Sequence, residues 1–364
     1  MHFVFVSYNY SADCSSPEAW MDRIKIYVGS LVCLSKNHLV TRVEQINYEG
    51  DYSHNGIRYY FTNFPKKTYF PRRLNRFVKH LNPDIVVVSG LHYPLQVIQL
   101  RLTLGKKARI MAQNHAEKPF TGVKKYFQKL ADRCIDAYLF ASRDMGVEWV
   151  KKGNLASADK IHEVMEVSST FLPMDKAQAL GNTHAKGSPV FLWVGRLDAN
   201  KDPLTVVRAF LRFTCVHPEA RLYMIYHTEQ LLTGVKDLLA RFDPNKTVTL
   251  IGKILHTNLQ SWYSSADVIL SGSYYEGSGT AVCEAMSCGC MPVVTDIPSF
   301  RMITDNGTCG LLYKPGDEEG LLSILKKIPY MDIAEKQKLA IEYFKSNLSF
   351  EAISKKIQDI AESL

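Results

Sequence analysis

The sequence predicts an α/β protein built from two doubly wound parallel-sheet domains. Three observations support this. The chain has 364 residues, and at roughly 100–200 residues per domain that length suits two. Short apolar runs alternate along it with amphipathic helical stretches, the βαβ rhythm of parallel sheets covered on both faces. The rhythm then stops in a polar, Gly- and Pro-bearing stretch and restarts at Val190.

The strand-like runs fall at 2–7, 38–47, 84–89, 108–112, 136–140, 190–194, 220–226, 247–251, 267–271, 291–295 and 310–313. The first, His2-Phe3-Val4-Phe5-Val6, has no basic segment before it and no cleavage site after it. It therefore reads as a strand rather than a signal peptide. The longest apolar run, Ile85 to Leu100, is broken by Gly90, His92 and Pro94, and is too short to span a bilayer. Thr205–Phe213 and Val235–Phe242 are amphipathic at helical spacing. These boundaries give an N-terminal domain at 1–172, a linker at 173–188, a C-terminal domain at 189–345 and a terminal helix at 346–364. The helix carries one apolar stripe, Phe350, Ile353, Ile357, Ile360 and Leu364, and needs a partner surface on one of the two domains.

Composition narrows the function. The hydrophobic fraction of 46% supplies a core without a metal or disulfide staple. The eight cysteines form no Cys-x-x-Cys pair. They read as small buried hydrophobes in a reducing, cytoplasmic setting. Residues 1–180 carry 25 basic against 16 acidic side chains, a net of +9, while the remainder is near neutral at −1. A basic N-terminal half is a soluble surface or a face that meets an anionic partner. The cations and aromatics of 65–79 (Lys66, Lys67, Tyr69, Phe70, Arg72, Arg73, Arg76 and Lys79) are the candidate for peripheral contact with an anionic membrane or an acidic glycan. The other reading is a solvated helix face. No nucleic-acid motif accompanies the charge.

The chemistry concentrates in three strand ends. Ala266–Gly272 runs as a strand into Ser273-Tyr274-Tyr275-Glu276-Gly277-Ser278-Gly279, and a helix opens near Thr280 and holds Glu284. A glycine-rich turn at a helix start presents free N–H groups and a positive dipole end, a site for phosphate. Gly277 and Gly279 let backbone approach a ligand. Val190–Gly195 ends in Arg196, with Lys201 in the following loop and Pro203 placed to open a helix. Two cations at the carboxyl end of a strand can neutralise a diphosphate. Leu250-Ile251-Gly252-Lys253-Ile254 is a third strand end, able to frame a base with backbone groups.

These segments, in this order, resemble glycosyltransferase family 4. The resemblance is carried by Glu276-Gly277-Ser278-Gly279, Glu284-Ala285-Met286, Gly289 and Pro292-Val293-Val294, with Gly195-Arg196-Leu197 and Lys201, Leu250-Ile251-Gly252 and Ala266-Asp267-Val268 before them. It covers about residues 188–325. It implies the GT-B architecture, two Rossmann-like domains facing across a cleft with a C-terminal helix crossing back, and retaining, metal-independent transfer of a hexosyl unit from a nucleotide-diphosphate sugar. By the same resemblance Arg196 and Lys201 stabilise the leaving diphosphate, Glu276 holds sugar hydroxyls, Glu284 holds ribose hydroxyls and His115 reaches the sugar. Gly195, Gly252, Lys253, Ile254, Gly277, Ser278, Gly279 and Thr280 complete the donor contacts.

The sequence departs from the family at Ser11–Pro17, where a Gly-Gly loop is usual, at Glu166–Thr170, and at Tyr226-His227-Thr228-Glu229. A UDP-sugar is the expected donor, with a glycan, lipid-linked or small-molecule acceptor. A non-catalytic nucleotide-sugar-binding module and a sugar-nucleotide epimerase are the rival readings.

Overall fold

A computed structural model describes residues 1–64 and 70–364. The chain divides into two compact domains, Met1–Ser168 with Phe350–Leu364, and Ser169–Ser349.

The first domain runs β1 (His2–Ser11), α1 (Pro17–Ile24), α2 (Gly29–Leu34), β2 (Leu39–Ile46), β3 (Gly50–His54), β4 (Ile57–Thr62), α3 (Arg72–His80), β5 (Ile85–Ser89), α4 (Pro94–Leu104), β6 (Arg109–Gln113), α5 (Gly122–Asp132), β7 (Ala137–Phe140), α6 (Arg143–Lys151) and β8 (Ile161–Glu163). Its sheet has the order β3-β4-β2-β1-β5-β6-β7-β8, parallel except for the antiparallel β3–β4 pair. The central strands read as continuous apolar runs because both faces are covered: Phe3 to Val6 and Ile85 to Val88 are all buried.

Three strands, β3, β4 and β8, lie outside the runs expected from sequence. β3 is Gly-Asp-Tyr-Ser-His at the sheet edge, with no buried residue and so no apolar pattern to betray it. β8 has only three residues. Of the basic stretch at 65–79, residues 65–69 lie outside the described residues; Arg72, Arg73, Arg76 and Lys79 sit on or within α3.

The second domain contains α7 (Lys176–Thr183), β9 (Val190–Gly195), α8 (Pro203–Thr214), β10 (Arg221–Tyr226), α9 (Leu232–Phe242), β11 (Val248–Gly252), α10 (Leu259–Ser265), β12 (Val268–Ser271), α11 (Thr280–Ser287), β13 (Met291–Thr295), α12 (Pro298–Ile303), β14 (Leu311–Tyr313), α13 (Glu318–Leu325) and α14 (Ile333–Tyr343). The 173–188 stretch read as linker thus carries a helix. Asp175 caps it by accepting from the Gln178 N–H at 2.9 Å.

The sheet is all parallel with the order β11-β10-β9-β12-β13-β14. Alternation along β9 builds both faces. Phe191 and Trp193 join the core under α8 and α13, while Val190 and Leu192 join the core under α10 and α11.

The last helix, α15 (Phe350–Ser363), belongs to the first domain and packs on α2. Gly29 permits the contact: a Cβ there would sit 2.5 Å from the Phe350 ring. Ile353 and Ile357 of the predicted stripe are buried. Among the described residues no helix is long and apolar enough to cross a membrane.

Candidate functional site

Relabelled within its own domain, the second sheet has the strand order 3-2-1-4-5-6. The sense in which successive strands are added reverses between β9 and β12. Crevices of open α/β sheets form outside the carboxyl ends of the strands at such a switch point. The loop after β9 carries Arg196 and Lys201, and the loop after β12 carries Glu276 to Gly279, so topology brings the two segments together.

The two loops are stitched by their own side chains. Asn200 Nδ2 donates to the Tyr275 carbonyl at 3.0 Å, and the Tyr274 N–H donates to the Asn200 carbonyl at 2.8 Å. Gly272 lets them approach, since a Cβ there would lie 3.0 Å from the Asp202 carbonyl oxygen. Lys201 forms an ion pair with Glu276, whose same oxygen accepts from Ser273 Oγ at 2.6 Å. That pair is largely buried, with Lys201 20% and Glu276 14% exposed. Arg196 is different. Its side chain is 52% exposed and its Nε meets Asp198 Oδ2 at 3.1 Å. Asp198 also accepts from the Lys201 N–H at 3.0 Å, so one carboxylate orders both cations.

α11 begins at Thr280 after Gly279, which adopts a left-handed φ of 56°. No side chain caps it; the Val282 N–H donates to the Gly279 carbonyl at 2.9 Å, so the N–H groups ahead of it, at Thr280 and Ala281, are the ones placed for an anion. The reason for glycine at 279 is partly structural. A Cβ would meet Phe300 at 2.8 Å and Ile303 at 2.9 Å, so close packing of α12 needs the hydrogen as much as any ligand would. Gly277 and Ser278 are half-buried in the turn before it.

Glu284 does not stand over the helix N-terminus as a solvated acid. It is buried at 5% exposure, and both oxygens are engaged. His256 Nε2 lies 2.7 Å from Oε1, and the Tyr263 hydroxyl donates to Oε2 at 3.0 Å. Burial and the adjacent Glu284 charge push the Tyr263 phenol well above its ordinary pKa, which keeps it a donor. Gly252 ends β11 with φ 80° and open space where a Cβ would go. Lys253 is exposed and Ile254 packs on the core beneath β9. The segment continues directly to His256, so the third predicted strand end meets the first through the His256–Glu284 bond.

His115 lies in the first domain, in the loop after β6. Its Nδ1 pairs with Glu166, one of the positions where the sequence departs from the family pattern. Burial alone lowers the His115 pKa, but the Glu166 hydrogen bond and charge, with Glu117 behind, raise it above the ordinary value. Sequence reasoning missed Glu117. Its carboxylate is buried, taking the Leu91 N–H at 2.8 Å on one oxygen and the His115 N–H at 2.6 Å and Asn114 Nδ2 at 2.8 Å on the other. It therefore fixes the loops after β5 and β6. His115 and Glu166 line a chamber of about 220 Å³ with the buried pair Arg42–Glu44.

Asp198, His256, Tyr263 and Ser273 were likewise given no role from the sequence, although Ser273 lies in the glycine-rich loop read there. Asp198, two positions from Arg196, also had a local signal.

Comparison with known proteins agrees with the C-terminal half of the site. A family model described as glycosyl transferases group 1 matches residues 176–346. A D-inositol 3-phosphate glycosyltransferase from Catenulispora acidiphila is 26% identical over 175 residues, 44% of this chain and 40% of that protein. Glycogen synthase of Mycobacterium tuberculosis is 25% identical over 142 residues, 39% of this chain and 34% of that protein. The chain thus spans well under half the length of these relatives.

Among solved structures, a glycosyltransferase from Rickettsia africae superposes with a TM-score of 0.75 at 16% identity, covering 100% of this chain and 98% of that one. Anabaena HepE in complex with UDP and glucose superposes at 0.68 and 14%, covering all of both chains. At these identities the likeness shows the fold, and the fold is GT-B.

Proposed function

We propose that this chain, whose residues 176–346 belong to the glycosyl transferases group 1 family, is a retaining glycosyltransferase that moves a hexosyl unit from a UDP-sugar to a glycan, lipid-linked or small-molecule acceptor. The observation that carries the reading is the stitched pair of loops at the β9/β12 switch point. There an exposed guanidinium, a buried Lys–Glu pair and an uncapped helix start converge. The Catenulispora acidiphila relative is named a glycosyltransferase, and HepE was solved with UDP and glucose.

On this reading the bond from the anomeric carbon to the β-phosphate oxygen breaks, and the sugar becomes oxocarbenium-like. Negative charge grows on the diphosphate. The exposed guanidinium of Arg196 and the N–H groups at the start of α11 are aimed at that charge. Lys201 contributes field from its pair and holds Glu276, whose second oxygen takes the sugar hydroxyls. Glu284, oriented by His256 and Tyr263, takes the ribose. The acceptor oxygen bonds to the face the diphosphate leaves, and its proton passes to the departing phosphate oxygen. The two cations and helix start are proposed to do without a metal, which full activity in excess EDTA would test.

A thermal-shift and turnover screen of UDP-, GDP-, ADP- and dTDP-sugars identifies the donor. NMR of the product then reads the anomer. An inverted anomer overturns retention, and binding of a nucleotide-sugar without turnover favours the non-catalytic module. Free sugar or an epimerised nucleotide-sugar favours the epimerase.

A further inference from the structure

The first domain repeats the topology of the second. Without its edge strands β3 and β8, its sheet order is β4-β2-β1-β5-β6-β7, so its switch point lies between β1 and β5. Outside the carboxyl ends of those strands is an open groove of about 730 Å³, within the roughly 300–1,000 Å³ range of ligand sites.

Aromatic rings and cations line it. Tyr93 and Phe127 present half-buried rings to it, and the fully buried Tyr8 backs Tyr93 with ring centroids 5.7 Å apart. Tyr8 is held by donating to Asn75 at 2.8 Å, and Tyr10 by donating to Asn63 at 2.9 Å, so these walls are set before any ligand arrives. Lys124 Nζ lies 3.3 Å from His92 Nδ1 and 4.1 Å from the Phe120 ring centroid. Burial lowers the Lys124 pKa, with Glu117 acting weakly against it. No Asp or Glu is among the described lining residues. The Glu117 carboxylate is 3.8 Å from His92 but committed to the backbone of two loops.

Two basic groups side by side without a lining carboxylate suit an anion. Tyrosine and phenylalanine faces suit the apolar C–H face of a sugar ring. The net +9 of residues 1–180 points the same way.

We propose that this groove binds the acceptor as an acidic saccharide, its ring against Tyr93 and Phe127 and its phosphate or carboxylate on Lys124 beside His92; the word acceptor rests on the transfer reading above.

The test titrates the full chain with glucose, galactose and mannose, each as the neutral sugar, the 6-phosphate and the uronate, without nucleotide. At least one charged form is expected to bind about tenfold more tightly than its neutral parent, the scale of one hydrogen bond to a charged group. In Lys124→Gln that gap closes, while UDP titrates as in the wild type and shows the protein intact. Tyr93→Ala weakens neutral and charged forms alike. The phosphate and uronate arms tell which anion is read. Equal affinity for neutral and charged forms, a gap that survives Lys124→Gln, or no binding by any member overturns the proposal. Acidic sugars binding to a chain that takes no UDP would instead overturn the transfer reading and leave the groove standing as a saccharide site.

Discussion

Replacing Arg196 by alanine separates chemistry from stability. The Arg196 side chain is 52% exposed and makes one ion pair, 3.1 Å to Asp198. Exposed pairs contribute about 0–1 kcal/mol, so the variant should lose less than ~1 kcal/mol in urea unfolding. If the guanidinium faces developing diphosphate charge, its removal should cost about 10²–10³ in kcat, or roughly 2.7–4 kcal/mol.

Lys201→Ala is the contrasting control. Lys201 is 20% exposed and its partner Glu276 is 14% exposed, so removing the ammonium strands a buried carboxylate. That variant should lose about 3–5 kcal/mol of stability together with its activity. Initial rates by nucleotide release, run beside urea titrations of both variants, read the difference. Arg196→Ala with wild-type kcat, or with a stability loss matching that of Lys201→Ala, would refute the assignment.

Other outcomes follow from the same geometry. Gly279→Ala should destabilise by about 1–3 kcal/mol, because it strains a left-handed residue and drives a Cβ to 2.8 Å from Phe300; it should also weaken UDP binding by displacing the start of α11, which calorimetry would show. Tyr263→Phe removes a donor 3.0 Å from buried Glu284 and should cost about 1–3 kcal/mol in denaturant melts, with KM for the donor rising more than kcat falls. Glu166→Gln should bring the His115 pKa down in NMR titration. Because the folded His115 pKa is raised, the stability from its pair is fully present below the ordinary value of 6.5 and is lost as pH rises through the folded pKa. Wild type and Glu166→Gln should therefore differ most in acid and converge at alkaline pH, and a difference that widens with pH would contradict the pairing.

The sequence by itself determined the segment types and their order. Continuous apolar runs such as Phe3–Val6 and Ile85–Val88 announced buried parallel strands, because both faces of those strands are covered. Pro203 and the glycine turn before Thr280 announced helix starts, because they act through local dihedrals and N–H groups. Elements without that local signature stayed hidden: polar β3 on the sheet edge, and α7 within a stretch whose Gly and polar residues resembled a linker.

Tertiary structure decided the partners. Lys201 meets Glu276 across 75 residues, and Glu284 meets Tyr263 and His256 across 21 and 28. His115 meets Glu166 across 51. No spacing rule predicts these pairs, because which loops become neighbours depends on the crossover order of the sheet. The same order set Arg196 apart from Lys201. Both read as equivalent loop cations, yet one is left exposed and the other is largely buried against a glutamate, and that burial is why substituting the first should spare the fold and substituting the second should not.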